Sequence, residues 1–133
     1  MEVKNKFFTF TDKNKPILEF IFTGNEPVEN EVDEMIKCQN FAISQDYKSI
    51  VIYRAEKVKY LSADTRIKLG KWNKENKELI QSKITFVILH MHGMFGKMIL
   101  NAIFLIQKPL YPYAIVTSAE EVDALLEKHT SVA

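Results

Sequence analysis

Residues 49–89 read SIVIYRAEKVKYLSADTRIKLGKWNKENKELIQSKITFVIL, and the succession of patterns within them decides the fold. Ser49 to Tyr53 is short, apolar and β-branched, the composition of a buried strand. Ser62 then reads as the N-cap of a long helix running to about Gln81. At about 100° per residue, Thr65, Leu69, Trp72, Asn76, Leu79 and Ile80 share one face of it, and Lys71, Lys74, Lys77 and Glu78 lie away. Ile84 to Leu89 is a second apolar run of strand length. Strand, helix, strand is the unit that builds a parallel sheet.

The flanks extend this alternation. Val3 to Phe10 and Ile17 to Phe22 read as two strands around the turn-forming run Thr11-Asp12-Lys13-Asn14-Lys15-Pro16, a hairpin with a longer loop. Pro27 suits a first helical position. Glu26 and Glu29 complement the positive end of that helix. Val28, Val32, Met35, Ile36 and Gln39 form its mostly apolar face. Beyond Leu89, the run from Gly93 to Gln107 is long enough for a helix, stopped by Pro109 and Pro112. Tyr113 to Thr117 is a last strand. Ser118, with Glu121 three residues on, gives the capping-box pattern of a final helix anchored by Val122, Leu125 and Leu126. The expected order is ββαβαβαβα. It describes an α/β domain over residues 1–133, with a single mostly parallel sheet, an N-terminal antiparallel hairpin and four helices, placed on both faces by right-handed crossovers.

Composition narrows the function classes. Eighteen Lys and Arg against seventeen Asp and Glu leave a net charge of +1, with 47% hydrophobic and 26% charged residues. That balance excludes a disordered chain and a polyanion binder by bulk charge. Cys38 is the sole cysteine, so no disulfide scaffold exists within the chain, and a reducing, cytoplasmic setting is expected. The most apolar stretch, Met94 to Ile106, is broken by Lys97 and Asn101 and falls short of the roughly 20 residues of a bilayer span. No RNA-binding motif accompanies the bases around Tyr53 and Tyr60, so no nucleic-acid partner is expected.

The order of elements resembles the SpoIIAA-like fold of STAS domains (sulfate-transporter and anti-sigma-factor antagonist). Two stretches carry the likeness. Ile50-Val51-Ile52-Tyr53, a connection and Ser62 opening a helix stand where STAS domains place a strand, a loop and a serine-capped helix. Asn101 to Tyr113, followed by Ser118-Ala119-Glu120-Glu121-Val122-Asp123-Ala124-Leu125-Leu126, looks like the SpoIIAA-like bacterial proteins of STAS/SEC14 type. The resemblance implies a non-enzymatic regulatory or protein-interaction module. Its SEC14 side implies, as an alternative, binding of a lipid or other hydrophobic small molecule between the sheet and the 94–107 helix. Where STAS regulators carry Asp-Ser-Ser/Thr-Gly, this chain reads Leu61-Ser62-Ala63-Asp64-Thr65, without the preceding Asp or the Gly.

Individual residues sort as follows. Ser62 is a phospho-acceptor candidate, since a helix N-terminus tolerates a dianion, but an N-cap role accounts for it fully. His90 and His92 are weak metal candidates at a strand end, two imidazoles where a structural site needs about four ligands. Cys38 sits on an acidic helix, which raises a thiol pKa, so it reads as inert. No motif implies a cofactor, and no nucleophile–base pair implies an enzyme. Six acids against one base between Gly24 and Asp46, then ten bases against four acids between Lys48 and Lys83, read as neighbouring helices of opposite charge. The helix from about Met94 to Gln107 carries the most information. Lys97, Asn101 and Lys108 define a polar stripe that contains Phe104 and is bordered by Met94 and Leu105. The expected contact surface is therefore Phe104, Leu105 and Met94 with Lys97 and Lys108 on its rim, most simply in a homodimer. In the alternative, Phe95, Met98, Ile99 and Phe104 line an apolar ligand site.

Overall fold

A computed structural model describes residues 1–130, apart from the side chains of Gly93 and Phe95. The chain runs β1 (Glu2–Lys4), β2 (Phe8–Asn14), β3 (Ile17–Phe22), α1 (Glu29–Ser44), β4 (Ser49–Arg54), α2 (Ala63–Glu75), α3 (Lys77–Lys83), β5 (Ile84–His90), α4 (Gly93–Phe104), β6 (Tyr113–Val116) and α5 (Ala119–Thr130). It is an α/β protein with one six-stranded mixed sheet, ordered β1-β2-β3-β4-β5-β6. β1, β2 and β3 pair antiparallel, and β3 to β6 pair parallel.

Four local differences from the sequence reading have physical causes. The first predicted strand is two strands, because Asn5 Oδ1 accepts from the backbone N–H of Phe7 at 2.8 Å and of Phe8 at 3.0 Å and turns the chain between them. The long helix is two helices, because the Asn76 side chain donates to the Trp72 carbonyl at 2.9 Å and its own backbone leaves helical geometry. The first helix begins at Glu29 rather than Pro27, held by Glu31, whose carboxylate accepts from Val28 N at 3.0 Å and from Lys6 N at 3.2 Å. The fourth helix stops at Phe104, short of Gln107. Ser118 caps as expected: its Oγ accepts from Glu121 N at 3.2 Å and donates to the Glu121 carboxylate at 3.1 Å.

Helices do not divide evenly between the faces. Phe8, Phe10, Phe20, Val51, Val87 and Leu89 point from the sheet into one core with Met35 and Cys38 of α1, Leu69 of α2, Ile80 of α3 and Ile99 and Ile103 of α4. The opposite face carries a smaller cluster, Ile50, Ile52, Ile88 and Val116, covered by Val122 of α5. The expectation of helices distributed on both faces by the crossovers is corrected by the strand order. When parallel strands are laid down one after another in the same direction, crossovers of one hand all fall on the same side; covering both sides needs a reversal of order. β3 to β6 contain no reversal, so α1 to α4 share a layer, and among the described residues only α5, which follows β6, reaches the other side. Among the described residues no helix is long and apolar enough to cross a membrane.

Candidate functional site

Two features of the helical layer stand out: a cavity beneath it and an apolar stripe on its outer surface. Both are organised by α4.

The cavity, about 90 Å3, lies between the sheet and the four-helix layer. Phe22, Tyr53 and Leu89 form its floor. Met35 and Gln39 of α1, Leu69 and Asn73 of α2, and Ile99, Ile103 and Phe104 of α4 form its walls, with Tyr111 at one side. Beside the space, α2 crosses the end of α4 and the turn that follows it at Gly70. A β-carbon on Gly70 would stand 2.8 Å from Ile106 Cβ and 3.1 Å from the Ile103 carbonyl oxygen, so only glycine permits that crossing. At the polar corner, Gln39 Nε2 donates to the Tyr53 hydroxyl at 3.4 Å. Gln39 is 7% exposed, and among the described residues its Oε1 has no hydrogen-bond partner. Burial pushes the Tyr53 hydroxyl well above its ordinary pKa, and the nearby Tyr111 hydroxyl adds to the rise. Tyr111 is itself pushed up to about 12, first by burial and then by Tyr113. Neither phenol is a competent base near neutrality. Among the described residues none that lines the cavity carries a charge.

On the outside of α4, Met94, Met98 and Leu105 are 80%, 64% and 87% exposed. Their spacing, with Asn101 between them, is four, three and four residues, so all four fall within about 60° of one another on the helix. The structure places Phe104 differently from the contact surface expected for it. It is half-buried, packs against the main core and sets its ring 5.8 Å from that of Tyr113. The sequence reading centred the outward face on Lys97, Asn101 and Lys108; its true centre lies nearer Met94 and Leu105, which carries Phe104 round to the flank. Lys97 and Lys108 are exposed beside the stripe. Ile99 lines the cavity, whereas Met98, read as a neighbour of the same site, points outward. Phe95 falls outside the described side chains.

The chain matches no family model, no curated protein and no solved structure.

The remaining candidates take their places apart from both features. Ser62 Oγ accepts from Thr65 N at 3.2 Å and donates to Thr65 Oγ1 at 3.0 Å, a working N-cap. His90 is buried at the end of β5 with Nδ1 3.1 Å from Glu56 Oε1, while His92 is exposed. Among the described residues no three His, Cys, Asp or Glu side chains gather where a metal could sit. Burial, and then the Glu34 carboxylate, push the Cys38 thiol up to about 11. The acidic first helix and the basic stretch after β4 meet through an ion pair between Asp33 of α1 and Lys68 of α2, supported by Trp72 Nε1 donating to Asn40 Oδ1 at 2.7 Å.

Sequence reasoning missed Gln39, Asn73, Tyr53 and Tyr111 as a group. One signal was present. Gln39 occupies a position on an otherwise apolar helical face, and a glutamine there must find partners inside.

Proposed function

We propose that the chain is a non-enzymatic protein-interaction module of SpoIIAA-like (STAS-type) architecture, and that it acts as a homodimer joined through the outer face of α4. The observation that carries this reading is the stripe of Met94, Met98 and Leu105, three long apolar side chains left almost wholly in water on a single helix. Isolated exposed apolar residues need no explanation, but a contiguous stripe does. The four-three-four spacing, with a polar residue among the apolar ones, is that of a helix seam that receives another helix.

The size of the stripe favours a second copy as its partner. Burying a Leu or Met side chain contributes about 1.5–3 kcal/mol. Three such residues supply about 4.5–9 kcal/mol against an association cost of about 4–15 kcal/mol, which leaves little or no surplus unless the partner brings a matching set. A two-fold axis supplies that set, since every residue acts twice. α4 contains no acid, so Lys97 and its symmetry mate meet without counter-charges, and added salt should tighten the dimer rather than loosen it. An acidic partner would show the reverse. The alternation of β3 to β6 with helices and the serine cap of α2 support the family part of the reading. A lipid pocket is not proposed, because about 90 Å3 is well below the several hundred Å3 typical of ligand pockets.

Sedimentation velocity on the wild type and on Leu105→Glu tests the proposal. Leu105 is 87% exposed, so the variant keeps its fold and its melting temperature to within a few degrees. The wild type is expected to dimerise with an affinity in the micromolar range, more tightly at high salt, and Leu105→Glu to remain a monomer at the same concentration. A wild-type monomer throughout, or a dimer unaffected by the substitution, overturns it.

A further inference from the structure

Gln39, Tyr53, Asn73 and Tyr111 line both the main cavity and a smaller adjoining one of about 20 Å3. They form a polar corner shared by two spaces that are otherwise walled by aliphatic and aromatic side chains. Within this corner, Gln39 Oε1 is buried without a partner among the described residues, while Nε2 donates to the Tyr53 oxygen. Tyr53 therefore keeps its O–H hydrogen free to donate. The pair offers the cavity one acceptor and one donor, side by side. Turning the Gln39 amide over exchanges which residue supplies which, but leaves one of each.

We propose that this cavity is a binding site for a small, uncharged, amphipathic molecule, an alcohol of about two or three carbons, whose hydroxyl donates to Gln39 Oε1 and accepts from Tyr53 while its chain lies against Met35, Ile99 and Ile103. A buried amide oxygen without a partner forfeits the hydrogen bonds it would make in water, and a ligand hydroxyl restores one. A charged group is excluded, because among the described residues no counter-charge lines the space and desolvation would go uncompensated. Water alone fits poorly. Several molecules would be needed to fill the volume, yet each needs two to four polar partners, and the polar groups lie at a single corner. The volume limits the chain length: a cavity holding benzene, with six heavy atoms, measures about 150 Å3, so about 90 Å3 takes a ligand of three or four. This site is independent of the outer face of α4, and the proposal goes beyond the interaction role.

The test is a methyl NMR titration of the full chain with 1-propanol, with 1-chloropropane as the probe lacking the hydroxyl and propionate as the charged one. Saturable shifts are expected at the Met35, Ile99 and Ile103 methyls with 1-propanol. Binding of 1-chloropropane should be about tenfold weaker, the equivalent of about 1.4 kcal/mol, and propionate should leave these methyls unmoved. Gln39→Leu, which removes the amide and keeps the bulk, should lose the preference for the alcohol; Tyr53→Phe gives a second reading if Gln39→Leu folds poorly. The proposal is overturned if 1-propanol produces no saturable shift, if 1-chloropropane binds as tightly, or if long-lived water remains beside these methyls at saturating 1-propanol.

Discussion

Three groups in or against the main core hold protons that the unfolded chain would release in mild alkali. Cys38 is raised from 9.0 to about 11, Tyr111 from 10.0 to about 12, and Tyr53 upward from 10.0, each chiefly by burial. A group whose folded pKa lies above its unfolded value stabilises the fold fully below the unfolded value, and that stabilisation is lost as pH rises toward the folded one. Stability should therefore hold to about pH 9 and decline in two stages. The first, near pH 9–10, belongs to Cys38, and the second, above about pH 10, to the two tyrosines. Each stage falls by up to about 1.4 kcal/mol per pH unit for each group involved. Urea unfolding at stepped pH checks this, with Cys38→Ala expected to flatten the first stage and Tyr111→Phe to soften the second. Curves for Cys38→Ala that parallel the wild type from pH 9 to 10 would show that the thiol titrates alike in both states.

The crossing of α2 and α4 depends on Gly70. A glycine within a helix costs about 1 kcal/mol relative to alanine, so Gly70→Ala would stabilise an isolated α2. In the protein the new methyl meets Ile106 Cδ1 at 2.7 Å, Ile106 Cβ at 2.8 Å and the Ile103 carbonyl at 3.1 Å; the Cδ1 end can turn away, but the Cβ and the carbonyl cannot. Overpacking of this kind costs about 1–3 kcal/mol. Set against the helix gain, the net expectation is a loss of up to about 2 kcal/mol in chemical denaturation; a higher stability would mean that the helices part without cost. The same helices show what the sequence made legible. Periodicity located every helix and strand run, because burial of one face leaves a direct trace in spacing. It did not reveal that Asn5 divides one strand and Asn76 one helix, since a side-chain amide bonding to nearby backbone leaves no periodic mark. Nor did it fix the rotation of α4. Lysines flank the exposed side as readily as they centre it, so Lys97 and Lys108 could not place Phe104. The cavity was legible only through Gln39, because its lining joins residues far apart in sequence.

The strand order also decides where the structure is strong. With α1 to α4 on one side of the sheet, the main core spans most of the molecule, and among the described residues α5 alone covers the other face. α5 buries Val122 completely and Leu125 and Leu126 in part, adds a stack of His129 on Phe86 at 3.9 Å, and gains its N-terminal cap from Ser118 and Glu121. Fixing the backbone costs about 1–2 kcal/mol per residue, and α5 spans 12 residues. Three apolar anchors at about 1.5–3 kcal/mol each, plus the helix's own hydrogen bonds, do no more than roughly match that cost. β4 and β5, by contrast, are central strands, paired on both edges and covered on both faces. α5 should therefore open on its own, well below the free energy of global unfolding. Native-state hydrogen exchange is expected to show its amides protected less than those of β4 and β5 by several kcal/mol. Glu121→Ala, which removes the reciprocal cap, should lower α5 protection further by about 1 kcal/mol and leave β4 unchanged. If α5 amides exchanged only with the central strands, the second face would be bound into the same cooperative unit as the first. The lone covering helix would then hold more of the fold than its three anchors account for.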